Sequence, residues 1–455
     1  MSMIAEKRKN MLKGLLRTLP QTALRSLEMA LGLTNDRKMV EVRELIIAET
    51  EFRHVREAVF APYMPLFQPR EDGLAGIKFA PWIVNALWTA LEKSEPDLHA
   101  EAQFVLRSLR MEDPTPVVFF RLVTAAAHIC HTAPESILRP DVGADERTAV
   151  AEFGHYLDLH RLARQVLARM GDFMGRIDAD KAAALRVLFN DASDLDIQGG
   201  TRLLEIIFAN LDDGSQIIKF VATVSDRPND RFLAESELAN FGTRILERIE
   251  ADLADLKSFM GGKGKVCDDL NAAGDRVVRC LSQLQAFGQY IELAREGPWG
   301  KRTIEAQKVI AELVEHQLKT AEKTLEAVMP VRTERVYGRV KKEVPDYAAV
   351  PAEEKWTKAR GVLLFTRKVR HIALAGGFAS LHTKTTEACE IAMDSYFTDM
   401  LALANGDEPF DAEQLLGGFE RITELMEALC GEEKAQVARR RVASSDLMNP
   451  SKNVA

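Results

Sequence analysis

The sequence predicts an all-α protein, multi-helical, with a central elongated antiparallel three-helix bundle and shorter flanking helices. Three observations carry this. In the stretch 267–294, Leu270, Ala273, Val277, Cys280, Leu284, Phe287, Ile291 and Ala294 follow one another by threes and fours without a break. That spacing places an apolar seam on one face of a helix. The stretches before and after it repeat the pattern. Ala239, Gly242, Leu246, Ile249, Leu253, Leu256 and Met260 mark one rod; Ile304, Ala311, Val314, Leu318, Ala321, Leu325 and Val328 mark the other, with Gln307 as the polar break. Two short glycine-containing turns, GGKGK (261–265) and REGPWGK (295–301), separate the rods, and short turns make helical neighbours antiparallel.

Taken in order, residues 1–19 read as a basic amphipathic helix. Ile4, Met11, Leu12, Leu15, Leu16 and Leu19 lie near one face, and Lys7, Arg8, Lys9, Lys13 and Arg17 oppose the single acid Glu6. Such a helix docks into a partner groove or lies on an anionic membrane. Helices follow at 21–32 and 36–60, the second capped by Asn35 or Asp36. Prolines and glycines at 62, 65, 69, 73, 76 and 81 mark an irregular connection. Shorter helices near 82–93, 97–111 and 116–131 each follow a proline, a good entry residue. Helical hairpins of this size can stack into a solenoid, but no repeated residue signature is present. Patterns at 144–175, 179–192, 200–211 and 214–225 are helical. QIIKFVATV (216–224) is β-branched enough for a strand, yet its setting among helices favours helix. After the central rods comes a basic connector, 331–351, then helices at 352–373, 380–404 and 411–432. The domains so outlined are an N-terminal helical region (1–140), a short-helix region (141–228), the long bundle (229–330), a C-terminal helical region entered through the basic connector (331–432) and a disordered tail (433–455).

Apolar residues make up 46% of the chain and charged residues 28%, which supplies a sizeable core and excludes global disorder. The net charge of −8 argues against a dedicated nucleic-acid binder. Five scattered cysteines with no CxxC read as reduced thiols packed like small apolar residues. No apolar run is long enough to cross a bilayer, and the lysines and arginine near the N-terminus interrupt any signal-peptide core. A cytoplasmic location follows, with a peripheral membrane contact through 1–19 as a variant.

The sharpest local motif is DLDIQGGTRLLE (194–205). Asp194, Asp196, Gln198 and Glu205 occupy the first, third, fifth and twelfth places of an EF-hand loop, with Gly199 at the sixth. Thr201 and Arg202 depart from that pattern, and no second loop pairs with it. No cofactor is predicted, and calcium is the one ion this pattern offers. Glu51 and His54 form one Glu-x-x-His pair, where di-iron bundles need two. His128, Cys130 and His131 lie together in AAAHICHT, with 128 and 131 on one helical face. In HYLDLH, His155 and Asp158 share a face and His160 is rotated from them. Each of these also reads as an ordinary core or capping residue. The two glycine-lysine turns lack the spacing of a phosphate loop and the strand before it, although amides at a helix start can hold an anion. The basic stretch 332–371 carries eleven lysines and arginines against five acids. Its residues Arg360, Arg367, Lys368 and Arg370 are candidate partner contacts; the competing reading pairs them internally with acidic helices. The tail ARRRVASSD matches a basophilic kinase site.

These observations favour a non-enzymatic scaffold or adaptor that binds other proteins through helical surfaces, with homo-oligomers through the seams as one form. The alternatives are a helical-bundle enzyme with a dispersed metal or hydrophobic-substrate site, and a peripheral membrane or nucleic-acid-associated regulator.

Overall fold

The structure is a computed structural model that describes residues 6–34, 36–110, 113–138, 143–260, 270–337, 340–406 and 411–445, with the side chains of residues 6, 7, 335–337, 340 and 341 left aside. The protein is all-α: twenty α-helices and one two-stranded hairpin among the described residues. It divides into two compact units, 1–226 and 227–455.

Unit one runs α1 (Glu6–Thr18), α2 (Gln21–Leu31), α3 (Arg37–Val59), α4 (Pro81–Ser94), α5 (Pro96–Ser108), α6 (Val117–Thr132), α7 (Ala144–Asp158), α8 (His160–Ala168), α9 (Met170–Met174), α10 (Ala179–Leu195), α11 (Gly199–Ala209) and α12 (Ile217–Val224). The QIIKFVATV stretch is therefore helical. Asp36 is the cap of α3, its carboxylate accepting from the Lys38 amide at 2.9 Å. Prolines open α4 and α5 and cap α6, as their fixed φ and missing N–H allow. The single long helix expected over 144–175 is broken into three pieces at Leu159 and Arg169.

The irregular connection between α3 and α4 is pinned rather than loose. Arg70 packs 4.4 Å over the Phe208 ring and donates to the backbone carbonyls of Phe208 and Leu211 on the α11 side. Asp72 accepts from Arg70 at 2.6 Å and from the Gly214 and Leu74 amides. A side chain at Gly76 would strike the Arg70 stem at 2.3 Å. The core beside it is aromatic: Phe153 meets Phe67 edge-on at 5.1 Å and Tyr63 at 6.0 Å.

Unit two runs α13 (Asp230–Ala234), α14 (Ala239–Met260), α15 (Leu270–Tyr290), α16 (Pro298–Glu326), the strands β1 (Val331–Tyr337) and β2 (Val340–Pro345), then α17 (Glu353–Lys368), α18 (Ala379–Ala404), α19 (Ala412–Cys430) and α20 (Glu432–Ala443). The seam of α15 is buried at Ala273, Val277, Cys280, Leu284 and Phe287, and Ile291 beyond its end is buried too. Its beginning at 267–269 and the GGKGK turn lie outside the described residues. The three rods α14, α15 and α16 touch one another, but they are not a bundle on their own. α17 lies against both α15 and α16, so α15 also buries Gly274 and Leu281 off the seam.

The first half of the α16 stripe is rotated from its expected place. Ile304 and Gln307 face solvent, and Thr303, Ala306 and Ile310 face inward. The start of the helix sets this rotation. The Trp299 ring is buried against Gly242 of α14, where an added Cβ would sit 2.6 Å from the indole, and against Phe287 of α15. One turn on from Trp299 is Thr303, not Ile304.

The basic connector is corrected in part. Its first half is an antiparallel hairpin pairing Val331 with Pro345 and Thr333 with Glu343. Its strands contain the β-branched residues Val331, Thr333, Val336, Val340 and Val344, a signal masked in the sequence by the surrounding charges. The tail is corrected too. Residues expected to be disordered from 433 form α20, which buries Ala435, Ala438 and Val442; Ala438 and Val442 enter the core shared by α16–α19. Residues 446–455, which include the end of the kinase-like motif, lie outside the described residues.

Candidate functional site

The EF-hand-like stretch does not form a twelve-residue loop. Asp194 is exposed on the last turn of α10, and α11 is already helical from Gly199. Only residues 196–198 separate the two helices. Gly199 is not a turn glycine: left-handed φ occurs at Gly73, Gly377 and Gly431. It permits close packing, since a Cβ there would come within 1.8 Å of the Ala192 carbonyl. Asp196 and Gln198 both face Arg202, at 2.6 and 3.3 Å, and Glu205 is buried within α11. A cation from the protein thus sits where two of the four ligands were expected to meet calcium.

The basic residues of α17 are largely engaged within unit two. Arg360 pairs with Glu424 at 3.0 Å, Arg367 donates to the Glu427 carbonyl at 2.7 Å, and Lys368 pairs with Asp275. Two of these tether α17 to α19 and the third ties it to α15. Among the described residues Arg370 is exposed and has no charged partner.

The anion site at the REGPWGK turn is occupied by the chain itself. Asp230 is fully buried, and its two carboxylate oxygens accept from the amides of Trp299 (2.9 Å) and Gly300 (3.1 Å) at the start of α16. Gly297 and Gly300 make room for it: a Cβ at 297 would lie 1.8 Å from the carboxylate, and one at 300 would strike the Ala294 carbonyl. The glycines therefore serve an internal helix cap.

The candidate histidines separate into four settings. His54 is exposed beside Glu51, which pairs with Arg107 at 3.1 Å. His128 is exposed and lines a hollow with Leu98, Phe120 and Arg161. His160 packs against Phe120 and its ring nitrogen meets the Leu157 carbonyl. His131, however, crosses from α6 to meet α7. Its Nε2 lies 2.9 Å from Asp158 Oδ2, and its ring centroid is 4.9 Å from that of His155. Gly154 allows this approach, because a Cβ there would be 2.8 Å from the His131 ring and 2.9 Å from the Cys130 Cβ. His131 and Cys130 thus face α7 together, and His128 does not join them. Burial, with a further push from the Asp158 charge, raises the Cys130 thiol to about 12, so it stays protonated.

Several large apolar side chains are exposed at the N-terminal end. Met11, Leu15, Leu27, Met29, Leu33, Met39 and Val40 all stand in solvent on α1, α2 and the start of α3, with Leu33 at 93% exposure. These helices pack together around a small core of Leu16, Leu24 and Ile46. Arg53 fastens them, donating to the carbonyls of Leu16 and Leu19. Sequence reading identified the amphipathic first helix but missed the apolar residues of α2 and α3. Their signal was available: Leu27, Met29 and Leu33 do not fit on one buried face.

No known protein family, curated protein or solved structure matches the chain, so its own residues carry the functional reading.

Proposed function

We propose that the chain is a non-enzymatic cytoplasmic scaffold or adaptor, and that α1–α3 form its docking face for a partner protein. The observation that carries this is the mismatch between what these helices bury and what they expose. Three fully buried residues, four partly buried ones and the Arg53 tether hold them together, while seven large apolar side chains face water. Exposed apolar side chains gathered on three packed helices in this way suit an interaction site. Residues 8–43 carry eight lysines and arginines against three acids, which favours an acidic partner surface. No helix among the described residues is long and apolar enough to cross a membrane. Cys130, Cys280, Cys389 and Cys430 are free thiols, in keeping with a reducing compartment.

The test is affinity purification from the native cell, followed by reconstitution with the purified partner. Replacing Leu15 and Leu33 by glutamate abolishes binding, and Ile391→Glu, at an exposed site on unit two, leaves it intact. Equal binding by both variants overturns the assignment to α1–α3. Salt-sensitive co-sedimentation with anionic vesicles, lost on removing residues 1–19, would put a membrane surface in the partner's place.

A further inference from the structure

We infer that His131, His155 and Asp158, joined across α6 and α7, form a binding site for a divalent transition-metal ion, zinc above all. One donor atom from each residue lies within 4.8 Å of the other two. Asp158 Oδ2 is the hub, 2.9 Å from His131 Nε2 and 3.9 Å from His155 Nδ1. Zinc bonds of about 2.0–2.2 Å to imidazole and carboxylate set donor separations of roughly 3.3 Å in a tetrahedron. The two distances bracket that value, and the third separation is within 4.8 Å, so the donors need shift only by ångström-scale amounts to enclose an ion. Two imidazoles and one carboxylate suit zinc and its neighbours and disfavour the all-oxygen ions calcium and magnesium.

The surroundings support a cation. Asp196 stands with Oδ2 3.7 Å from His155 Nδ1, while its Oδ1 is held by Arg202 at 2.6 Å and by the Gln198 amide at 2.7 Å. Arg202 is clamped in turn by Glu152, through two bonds of 3.0 Å. Glu152, Asp158 and Asp196 therefore outnumber Arg202 by two charges in the immediate setting. The donor side chains are each about one-third to one-half exposed, which gives an ion an entry path. Three protein donors leave a fourth position open to water.

The experiment is calorimetric titration of the full, chelator-treated chain with zinc chloride, paired with visible absorption after cobalt loading. One saturable site per chain appears, and cobalt gives the d–d bands of a low-symmetry nitrogen-oxygen site. His155→Ala and Asp158→Asn each weaken zinc by about tenfold or more, as loss of a ligand does, and His371→Ala, at an exposed histidine elsewhere, changes nothing. Circular dichroism checks the variants. If His131→Ala or Asp158→Asn unfolds through loss of the 2.9 Å contact, His155→Ala, whose shortest ion-pair contact is 3.7 Å, still decides. Absence of saturable zinc binding, or zinc binding unchanged in His155→Ala, overturns the site. Calcium binding in preference to zinc overturns it as well.

Discussion

The Asp230 carboxylate and the Trp299 amide are joined by a hydrogen bond of 2.9 Å that spans 69 positions of the chain. Asp230 supplies to α16 what a local N-cap usually supplies. It also fixes which side of Trp299 meets α14 and α15.

Removing that carboxylate leaves two buried amides without an acceptor. Asp230→Ala is expected to destabilise unit two by about 3 kcal/mol, and Asp230→Asn by less, since one oxygen remains. Urea denaturation measures the loss. Hydrogen exchange at amides 299 and 300 localises it, and unchanged exchange there would refute the role.

The Arg70–Asp72 pair predicts an acid-sensitive joint. Both side chains are nearly buried, and breaking such a pair costs about 3–5 kcal/mol. Arg70→Ala should lower the melting temperature of unit one accordingly. Burial opposes ionisation of Asp72, but the Arg70 bond and the Gly214 and Leu74 amides prevail and hold its pKa below 3.8. The native state thus binds fewer protons than the unfolded chain in the window below 3.8. Its contribution is whole above that pH and is lost as pH falls through the native value. Asp72→Asn removes this slope from the acid limb of a stability profile.

A fully buried carboxylate, Asp252 on α14, holds three guanidiniums: Arg248 at 2.8 Å, Arg276 at 3.3 Å and Arg279 at 3.2 Å. Asp252→Ala leaves three like charges facing one another. A loss of about 3–5 kcal/mol is expected, measured by thermal unfolding. Replacing the arginines with leucine in the same background should restore part of it.

His99 is buried between Trp88 and Phe52, with ring centroids at 4.7 and 5.4 Å. Burial lowers its pKa below 6.5, and burial does the same at His160. Both therefore take up protons more readily when unfolded. Unit one should therefore lose stability as pH falls below 6.5 through the native values. His99→Phe is expected to flatten this limb, read by melting temperature between pH 7.5 and pH 5.

Helices were legible because a period near 3.6 repeats along each of them. Their interruptions were not. Leu159 and Arg169 end helices without proline or glycine nearby on the N-terminal side, and tertiary packing decides there. The hairpin at 331–345 was hidden by its charges. The first half of the α16 stripe was misplaced by one residue because its rotation depends on the packing of Trp299 against α14 and α15, which lie outside the helix. The two halves of the His131/His155/Asp158 group were each visible, yet periodicity cannot join α6 to α7. Gly154 was the available clue, since a glycine inside a helix often marks where another helix approaches.

The seal that α20 places on unit two also sets a sequence of events during synthesis. Ala438 and Val442 complete a hydrophobic interior to which the earlier-synthesised α16–α19 contribute the rest. Until the ribosome has released those residues, the nascent chain carries an open greasy cleft. Premature termination near Cys430 would leave that cleft permanently uncovered, a substrate for chaperones and proteases rather than a shortened working protein.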